Sequence, residues 1–290
     1  MGVARGPFLL LPFTLVAAGA GAAAYDGGVR LEYTLLALLG LISLHMAVNI
    51  FNEYSDMRTG IDLQTRRTPF SGGSGTLPAR AMGMSTALLF GIACSAVGLA
   101  VGGYFLLEIG LVMLPLIVVG AVLVVGYTDL LARSGVGEIA AGLGLGGLPV
   151  IGTALVQEGR LGPAALAAAV PATLMTFNLL LLNEFPDEEA DRAGGRRNLV
   201  LLLGRRRAAW VYLIAGVATP GSLLAGVAID VLPPLALAAA VPSLLLVGPA
   251  RWVVGDPVGT DPPIPAMGAN VAWNLVTNLV LGVTLLIAAA

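Results

Sequence analysis

Leu179-Leu-Leu-Leu182-Asn183-Glu184-Phe185-Pro186-Asp187-Glu188-Glu189-Ala190-Asp191-Arg192 joins an apolar run that begins at residue 163 to a sudden concentration of acids. A run of about 20 apolar residues is long enough to cross a bilayer as a helix. Carboxylates at its end are costly unless cations compensate them. The pattern recurs earlier in the chain, where an apolar run from residue 31 ends in Asn49-Ile-Phe-Asn52-Glu53-Tyr54-Ser55-Asp56-Met-Arg58-Thr-Gly60-Ile-Asp62.

The whole composition agrees with a membrane protein. Of 290 residues, 57% are hydrophobic and 11% charged, at a mean hydropathy of +0.91. A soluble domain would carry about a quarter charged residues. Apolar stretches predict about nine transmembrane helices, at 7–24, 31–52, 84–107, 111–131, 137–156, 163–184, 207–229, 231–250 and 267–289. The expected fold is therefore an all-α integral membrane protein, one bundle of about nine helices around a lipid-embedded cavity, and one domain over 1–290. Inner prolines do not break such a bundle, because neighbouring helices satisfy the freed backbone groups. The N-terminal run is read as a retained first span rather than a cleaved signal.

All 15 basic residues are arginine. With nine spans, one side of the membrane receives Arg5, Arg58, Arg66, Arg67, Arg80, Arg133, Arg192, Arg196, Arg197, Arg205, Arg206, Arg207 and Arg251, and the other only Arg30 and Arg160. Basic loops stay cytoplasmic, so the N-terminus and both acidic motifs are expected on the cytoplasmic face of the cell membrane. The net charge of −2 says nothing about nucleic acid, whereas the placement of the arginines says more; no nucleic-acid partner is expected. The lone Cys94 excludes an intrachain disulfide and a thiolate metal cluster and reads as a small packing residue. His45 reads as a buried, satisfied side chain, and Glu188 and Glu189 as a solvated loop face.

Asn183, Asp187 and Asp191 are spaced i, i+4, i+8, which on one helix puts three oxygen donors on one face. Oxygen-only donors suit Mg²⁺, which takes one or two carboxylates and completes its shell with water and substrate phosphate. Asn52 and Asp56 repeat the i, i+4 spacing, but Asp62 would face elsewhere on a continued helix. Gly60 offers a helix stop that returns Asp62 to the same side. Two facing rows, Asn52, Asp56, Asp62 and Asn183, Asp187, Asp191, would hold a pair of Mg²⁺ ions on a diphosphate. Arg66, Arg67 and Arg196 follow the two rows and carry the fork that recognises phosphate oxygens. The Thr68-Pro69-Phe70-Ser71-Gly72-Gly73-Ser74-Gly75 loop could add backbone N–H groups.

These motifs resemble those of the UbiA-type superfamily of membrane prenyltransferases, whose two Asp-rich motifs bind Mg²⁺ and an isoprenoid diphosphate. Asp191-Arg192-Ala-Gly-Gly-Arg196-Arg197-Asn198 is similar to the family's Asp-Arg-x-x-Gly-Lys-Arg-Thr stretch. Asn52-Glu-Tyr-Ser-Asp56-x-x-x-Gly60-x-Asp62, the 68–75 loop, and Tyr127-Thr128-Asp129 followed by Gly135-Val-Gly137-Glu138 look most like the branch that prenylates 1,4-dihydroxy-2-naphthoate in menaquinone synthesis. Glu53, Arg196 and Asn198 depart from that branch, which usually carries Asp, Lys and Thr there. The resemblance implies Mg²⁺-dependent transfer from a polyprenyl diphosphate donor to an aromatic acceptor within the lipid phase. Asp56 and Asp187 are then the candidate catalytic residues, with Tyr127 joining the three arginines at the diphosphate. Tyr54, Phe185 and Tyr127 are candidate chamber walls. The competing readings are another acceptor or isoprenoid cyclisation on the same fold, and an ion-coupled transporter. A transporter predicts acids near mid-span.

Overall fold

The computed structural model describes residues 2–65, 67–255 and 263–290, of which Gln64 is described in its backbone alone. In chain order the helices are α1 (Leu10–Asp26), α2 (Leu31–Thr59), the one-turn α3 (Ile61–Gln64), α4 (Met84–Ile109) and α5 (Leu114–Gly126). Next, α6 (Gly137–Gly142) runs through a π turn at Leu143–Gly147 into α7 (Leu148–Glu158), followed by α8 (Pro163–Glu184), α9 (Glu188–Ala193), α10 (Leu199–Leu203) and α11 (Arg205–Ala228). A 3-10 helix at Pro234–Leu246 then continues as α12 (Val247–Val254), and α13 (Ile264–Ala289) closes the chain. No strand occurs among the described residues.

Eight continuous stretches are long and apolar enough to cross a membrane. One of them, Met84–Gly126, has 43 residues; straight, it would measure about 65 Å, twice the hydrocarbon thickness. It is not straight. Gly110, at φ 79°, ends α4, and the side chain of Ile117 returns to 3.4 Å from where a Gly102 Cβ would stand. Those residues would lie about 22 Å apart on a straight helix, so the stretch is a hairpin of two arms, which agrees with a bundle of about nine helices. The second arm stops at Gly126 rather than 131.

Small residues hold the bundle together. Lipid is as apolar as leucine, so helices associate through close backbone contact. A Cβ on Gly21 would overlap the carbonyl oxygen of Gly282, and one on Gly282 the carbonyl of Ala17, which locks α1 against α13. Alanines 18, 22, 164, 165, 168, 172, 236 and 239 fill the shared core. A polar seam adds to it: Asn270, Asn274 and Asn278 are buried on one face of α13. Asn270 donates to the Asn178 carbonyl and accepts from Tyr212 Oη, while Asn274 donates to Thr176 Oγ1.

The ends of the bundle differ. At one end Asp26 accepts the Ala164 and Ala165 N–H groups, closing the start of α8, and Gln157 accepts the Arg30 N–H. At the other end α2 and α8 release the two acidic motifs, with the start of the chain held beside them by Asn49 donating to the Ala4 carbonyl at 3.1 Å.

Gly21→Leu should lower the detergent melting temperature by several degrees, since overpacking costs about 1–3 kcal/mol and each kcal/mol moves a protein of this size by about 2–4 °C. Gly221→Leu, whose Cβ would meet nothing within 4 Å, is the control and should leave it unchanged. Equal melting of the two variants would contradict the seam.

Candidate active site

The last turns of α2 carry Asn52 and Asp56 on one face, and Asn52 Nδ2 donates to Asp56 at 3.0 Å. Gly60, at φ 81°, stops the helix. The single turn of α3 then tucks Asp62 inward, where it is 3% exposed and its Oδ2 is buried without a hydrogen-bond partner. Over it lies the glycine-rich loop. Gly73 passes so close that a Cβ would stand 2.7 Å from the Asp62 Oδ2. Thr68 Oγ1 accepts the Phe70 and Ser71 N–H groups to shape the turn.

Three further bonds fasten the loop as a roof. Glu53, fully buried, accepts both the Ser74 N–H at 3.2 Å and the Ser74 hydroxyl at 2.5 Å. From the other motif, Asn183 Nδ2 donates to the Phe70 carbonyl at 3.2 Å. The roof thus ties the first acidic motif to the second.

The second motif is not one unbroken helix, as the i, i+4, i+8 spacing had suggested. Pro186 has no N–H to donate into the preceding turn, so although Phe185 keeps helical dihedrals, α8 ends at Glu184 and α9 begins at Glu188 with Asp187 as its N-cap. The break is shallow, because Phe185 holds φ −63° and ψ −49° across it, and the Asp191 N–H reaches the Asp187 carbonyl at 2.9 Å as the first bond of α9. Asn198 Nδ2 donates to Asp191 at 2.9 Å while its Oδ1 caps α10. Glu138, 1% exposed, accepts the N–H of Leu199.

Between the motifs stands Arg196. Its Nη2 lies 2.6 Å from both Asp56 oxygens and 3.1 Å from Asn52 Oδ1, and its Nη1 lies 3.5 Å from Asp191. Burial opposes its charge, but Asp56 and Asp191 outweigh that and hold the guanidinium protonated above its ordinary range. The other predicted bases are placed differently. Arg67 is exposed, with its guanidinium against Gly75, and Arg66 lies outside the described residues.

The acids feel the same confinement. Burial, reinforced by Asp191, pushes Asp187 up to about 8. Asp62 rises to about 6 through burial and Asp56. Asp191 also rises to about 6 through burial, against the pull of Arg196. Tyr127 is pushed up by burial and by Glu184, Glu138 and Asp56, with Arg196 opposing.

Among the described residues no three acidic, histidine or cysteine side chains stand close enough to cage an ion by themselves. Mg²⁺ does not need such a cage, since one or two carboxylates suffice when phosphate and water supply the rest. The orphaned Asp62 Oδ2 and the oxygen-only donors fit that ion.

Sequence spacing missed Glu53 and Glu138 as structural anchors, and the 2.5 Å bond from Ser55 to Asp129; each depends on a partner distant in sequence. Of the three aromatic candidates for a chamber wall, Phe185 packs edge-on against Trp252 in the core and Tyr54 lies beneath Arg58. Tyr127 opens onto an apolar cavity of about 300 Å³ bounded by α2, α4, α5 and the α6–α7 segment. Cys94 is buried and free. His45 is buried, with Nδ1 3.1 Å from the Leu41 carbonyl, and lines the cavity. Glu188 pairs with Arg192 and Arg205.

The model of the UbiA prenyltransferase family matches residues 10–265. The 1,4-dihydroxy-2-naphthoate octaprenyltransferase of Mycobacterium tuberculosis is 32% identical over 216 residues, 70% of this chain and 70% of that protein. The enzyme of the same name from Bacillus subtilis is 26% identical over 209 residues, 69% of this chain and 64% of its own length. Among solved structures, the apo UbiA homolog from Aeropyrum pernix K1 superposes with a TM-score of 0.74 at 19% identity, over 96% of this chain and 97% of that one. A UbiA homolog from Archaeoglobus fulgidus bound to GPP and Mg²⁺ gives 0.67 at 18% identity, covering 97% of each chain.

Glu53→Ala should release the roof. Hydrogen exchange at the Ser74 amide should accelerate by about tenfold or more, as expected when one anchoring hydrogen bond of about 1.5–3 kcal/mol is lost. Unchanged exchange would show that the loop is held by other contacts.

Proposed function

The chain belongs to the UbiA prenyltransferase family and is a multi-pass membrane prenyltransferase, and from that premise we propose that it transfers the polyprenyl group of an isoprenoid diphosphate to an aromatic acceptor, 1,4-dihydroxy-2-naphthoate in menaquinone synthesis. One observation carries the reading: two acid-and-amide motifs, distant in sequence, meet around one buried guanidinium at the mouth of an apolar cavity. A diphosphate with a long hydrocarbon tail has the polarity of that site. The names of the relatives and the 68–75 loop favour the naphthoate as acceptor.

Asn52, Asp56 and Asp62 with Asn183, Asp187 and Asp191 would hold two Mg²⁺ ions. Bound there, Mg²⁺ supplies positive charge that stabilises the departing diphosphate. The protein contributes the rest. Arg196 would add positive charge where negative charge develops, with Tyr127 close enough to feel that charge; Arg67, which is exposed, is not part of that set. The roof loop over Asp62 keeps water from the allylic carbon as its bond to the diphosphate oxygen breaks. The electron-rich acceptor ring attacks that carbon, and with the naphthoate its carboxylate leaves as carbon dioxide. The sidedness of the arginines puts these events at the cytoplasmic face.

Purified protein with Mg²⁺, geranylgeranyl diphosphate and a panel of aromatic acceptors should give a prenylated naphthoate by mass spectrometry. Asp56→Ala or Asp187→Ala should reduce that rate by about 10²–10³-fold or more, the usual cost of one electrostatic contact to developing charge. Full Mg²⁺-dependent transfer by either variant would refute the two-row site, and no product with any acceptor would refute the aromatic-transfer reading.

Protons compete with the metal. Asp187 at about 8 and Asp62 and Asp191 at about 6 hold protons below those values, and ligation requires the deprotonated form. Mg²⁺ affinity should therefore weaken as pH falls from 8 to 6, by up to about tenfold per unit for each proton displaced. Equilibrium dialysis at three pH values checks this, and a flat profile would contradict it.

A further inference from the structure

The residues that precede α1 lie against the active end of the bundle. Val3, 1% exposed, shares an apolar cluster with Ile50 of α2 and with Leu77, just beyond the roof loop. Gly2 passes so close to Thr76 that a Cβ would overlap its hydroxyl, and the Ala4 carbonyl accepts from Asn49 at 3.1 Å. Arg5 follows at φ 49° and ψ 63°. An L side chain takes that left-handed conformation sparingly, and only where its surroundings hold it. Residues 2–4 are docked firmly enough to do so, and the guanidinium is thereby brought within electrostatic reach of both acidic motifs. Asp62 and Asp187 each feel its positive charge, which opposes the effect of their burial.

Arg5 is near these acids and bonded to neither. Its Nε is buried without a hydrogen-bond partner, as is the Asp62 Oδ2, and its guanidinium makes no ion pair among the described residues. Such a set is satisfied by neither sign of ion alone, since Arg5 repels a lone cation and the carboxylates repel a lone anion. A metal-bound diphosphate brings both signs at once. A lipid headgroup phosphate is the other common partner of an arginine at a membrane face, but a buried Nε and two acids within reach are unlike a surface arginine. We propose that Arg5 is a further donor-binding residue, whose guanidinium takes oxygens of the diphosphate so that Arg5 and Arg196 share the leaving group. Arg5 lies outside residues 10–265, which the family model matches. The inference rests on the isoprenoid diphosphate reading, to which it adds a contact from the segment before α1.

Arg5→Asn removes the charge and keeps a residue that tolerates the left-handed backbone. Arg5→Lys keeps the charge without the planar fork. For both variants and the wild type, Kd is measured with saturating Mg²⁺ for inorganic pyrophosphate and for the unreactive S-thiolodiphosphate analogue of geranylgeranyl diphosphate, in phospholipid-free detergent and in nanodiscs of anionic phospholipid. Arg5→Asn should weaken both ligands about tenfold or more in both media, the cost of a lost charge-assisted hydrogen bond. Donor KM should rise in parallel while acceptor KM stays within about twofold, and Arg5→Lys should lie between Arg5→Asn and the wild type. Hydrogen exchange at the Thr76 amide should match the wild type, because residues 2–4 remain docked. Wild-type affinity of Arg5→Asn in phospholipid-free detergent overturns the proposal, and a change confined to nanodiscs gives Arg5 to a lipid headgroup instead. Weaker binding accompanied by faster Thr76 exchange, or not relieved at all in Arg5→Lys, assigns Arg5 to the docking of its own segment and overturns it too. Diphosphate binding that depends on Arg5, without transfer to any acceptor, would remove the transferase reading and leave the contact standing.

Discussion

Everything at the active end of this bundle depends on how buried negative charge is compensated. Asp56, Asp62 and Asp191 are almost wholly enclosed, and Glu53 and Glu138 lie beside them with almost no exposure. In a medium of low dielectric an uncompensated carboxylate either finds a partner or takes up a proton. Glu53 accepts hydrogen bonds from Ser74, and Asp56 is paired with Arg196. Asp62 and Asp187 have no comparable partner among the described residues, and burial lifts both. Their deficit is one of positive charge, and this makes the site receptive to cations.

The same economy of side-chain size serves packing and cavity alike. Gly21 and Gly282 let α1 and α13 touch backbone to backbone, and Gly142 and Gly146 do the same for the α6–α7 segment against α8. Around α5 the pattern inverts. None of its residues is buried, and Gly120 and Gly126 have open space where a side chain would be. One half of the bundle is sealed by small residues, and the other is left hollow by them.

Much of this was legible in the sequence, where the physics is local. Apolar run length gave nine crossings, and the Gly110 hairpin that separates two of them appears as a break between residues 107 and 111. Gly60 announced the stop that returns Asp62, since a left-handed helix end favours glycine. Pro186 is equally visible, and it interrupts the continuous helix that the i, i+4, i+8 spacing alone predicts. What periodicity cannot supply is the partner across space. It places Arg196 near the second motif but not on Asp56 of the first, and it places Arg67 beside Asp62 without revealing that it turns outward. Glu53 looked like a mere substitution for aspartate until its contacts with Ser74 gave it a task that needs the longer reach.

The two motifs are not prepared alike. Asn183 uses only its amide N–H group, donating to the roof at Phe70, so its oxygen carries no hydrogen bond from that contact. Asn52 has spent both ends: Nδ2 donates to Asp56 and Oδ1 accepts from Arg196. Asp56 is likewise covered on both oxygens by the same guanidinium. For the first row to serve as ligands, Arg196 must yield its place, and it can do so only if an incoming cation takes over the charge of Asp56. An anion arriving with that cation would give the displaced guanidinium a new partner. In the proposed reaction, cation and diphosphate would then be coupled through one side chain, because either alone would leave a buried charge unpaired.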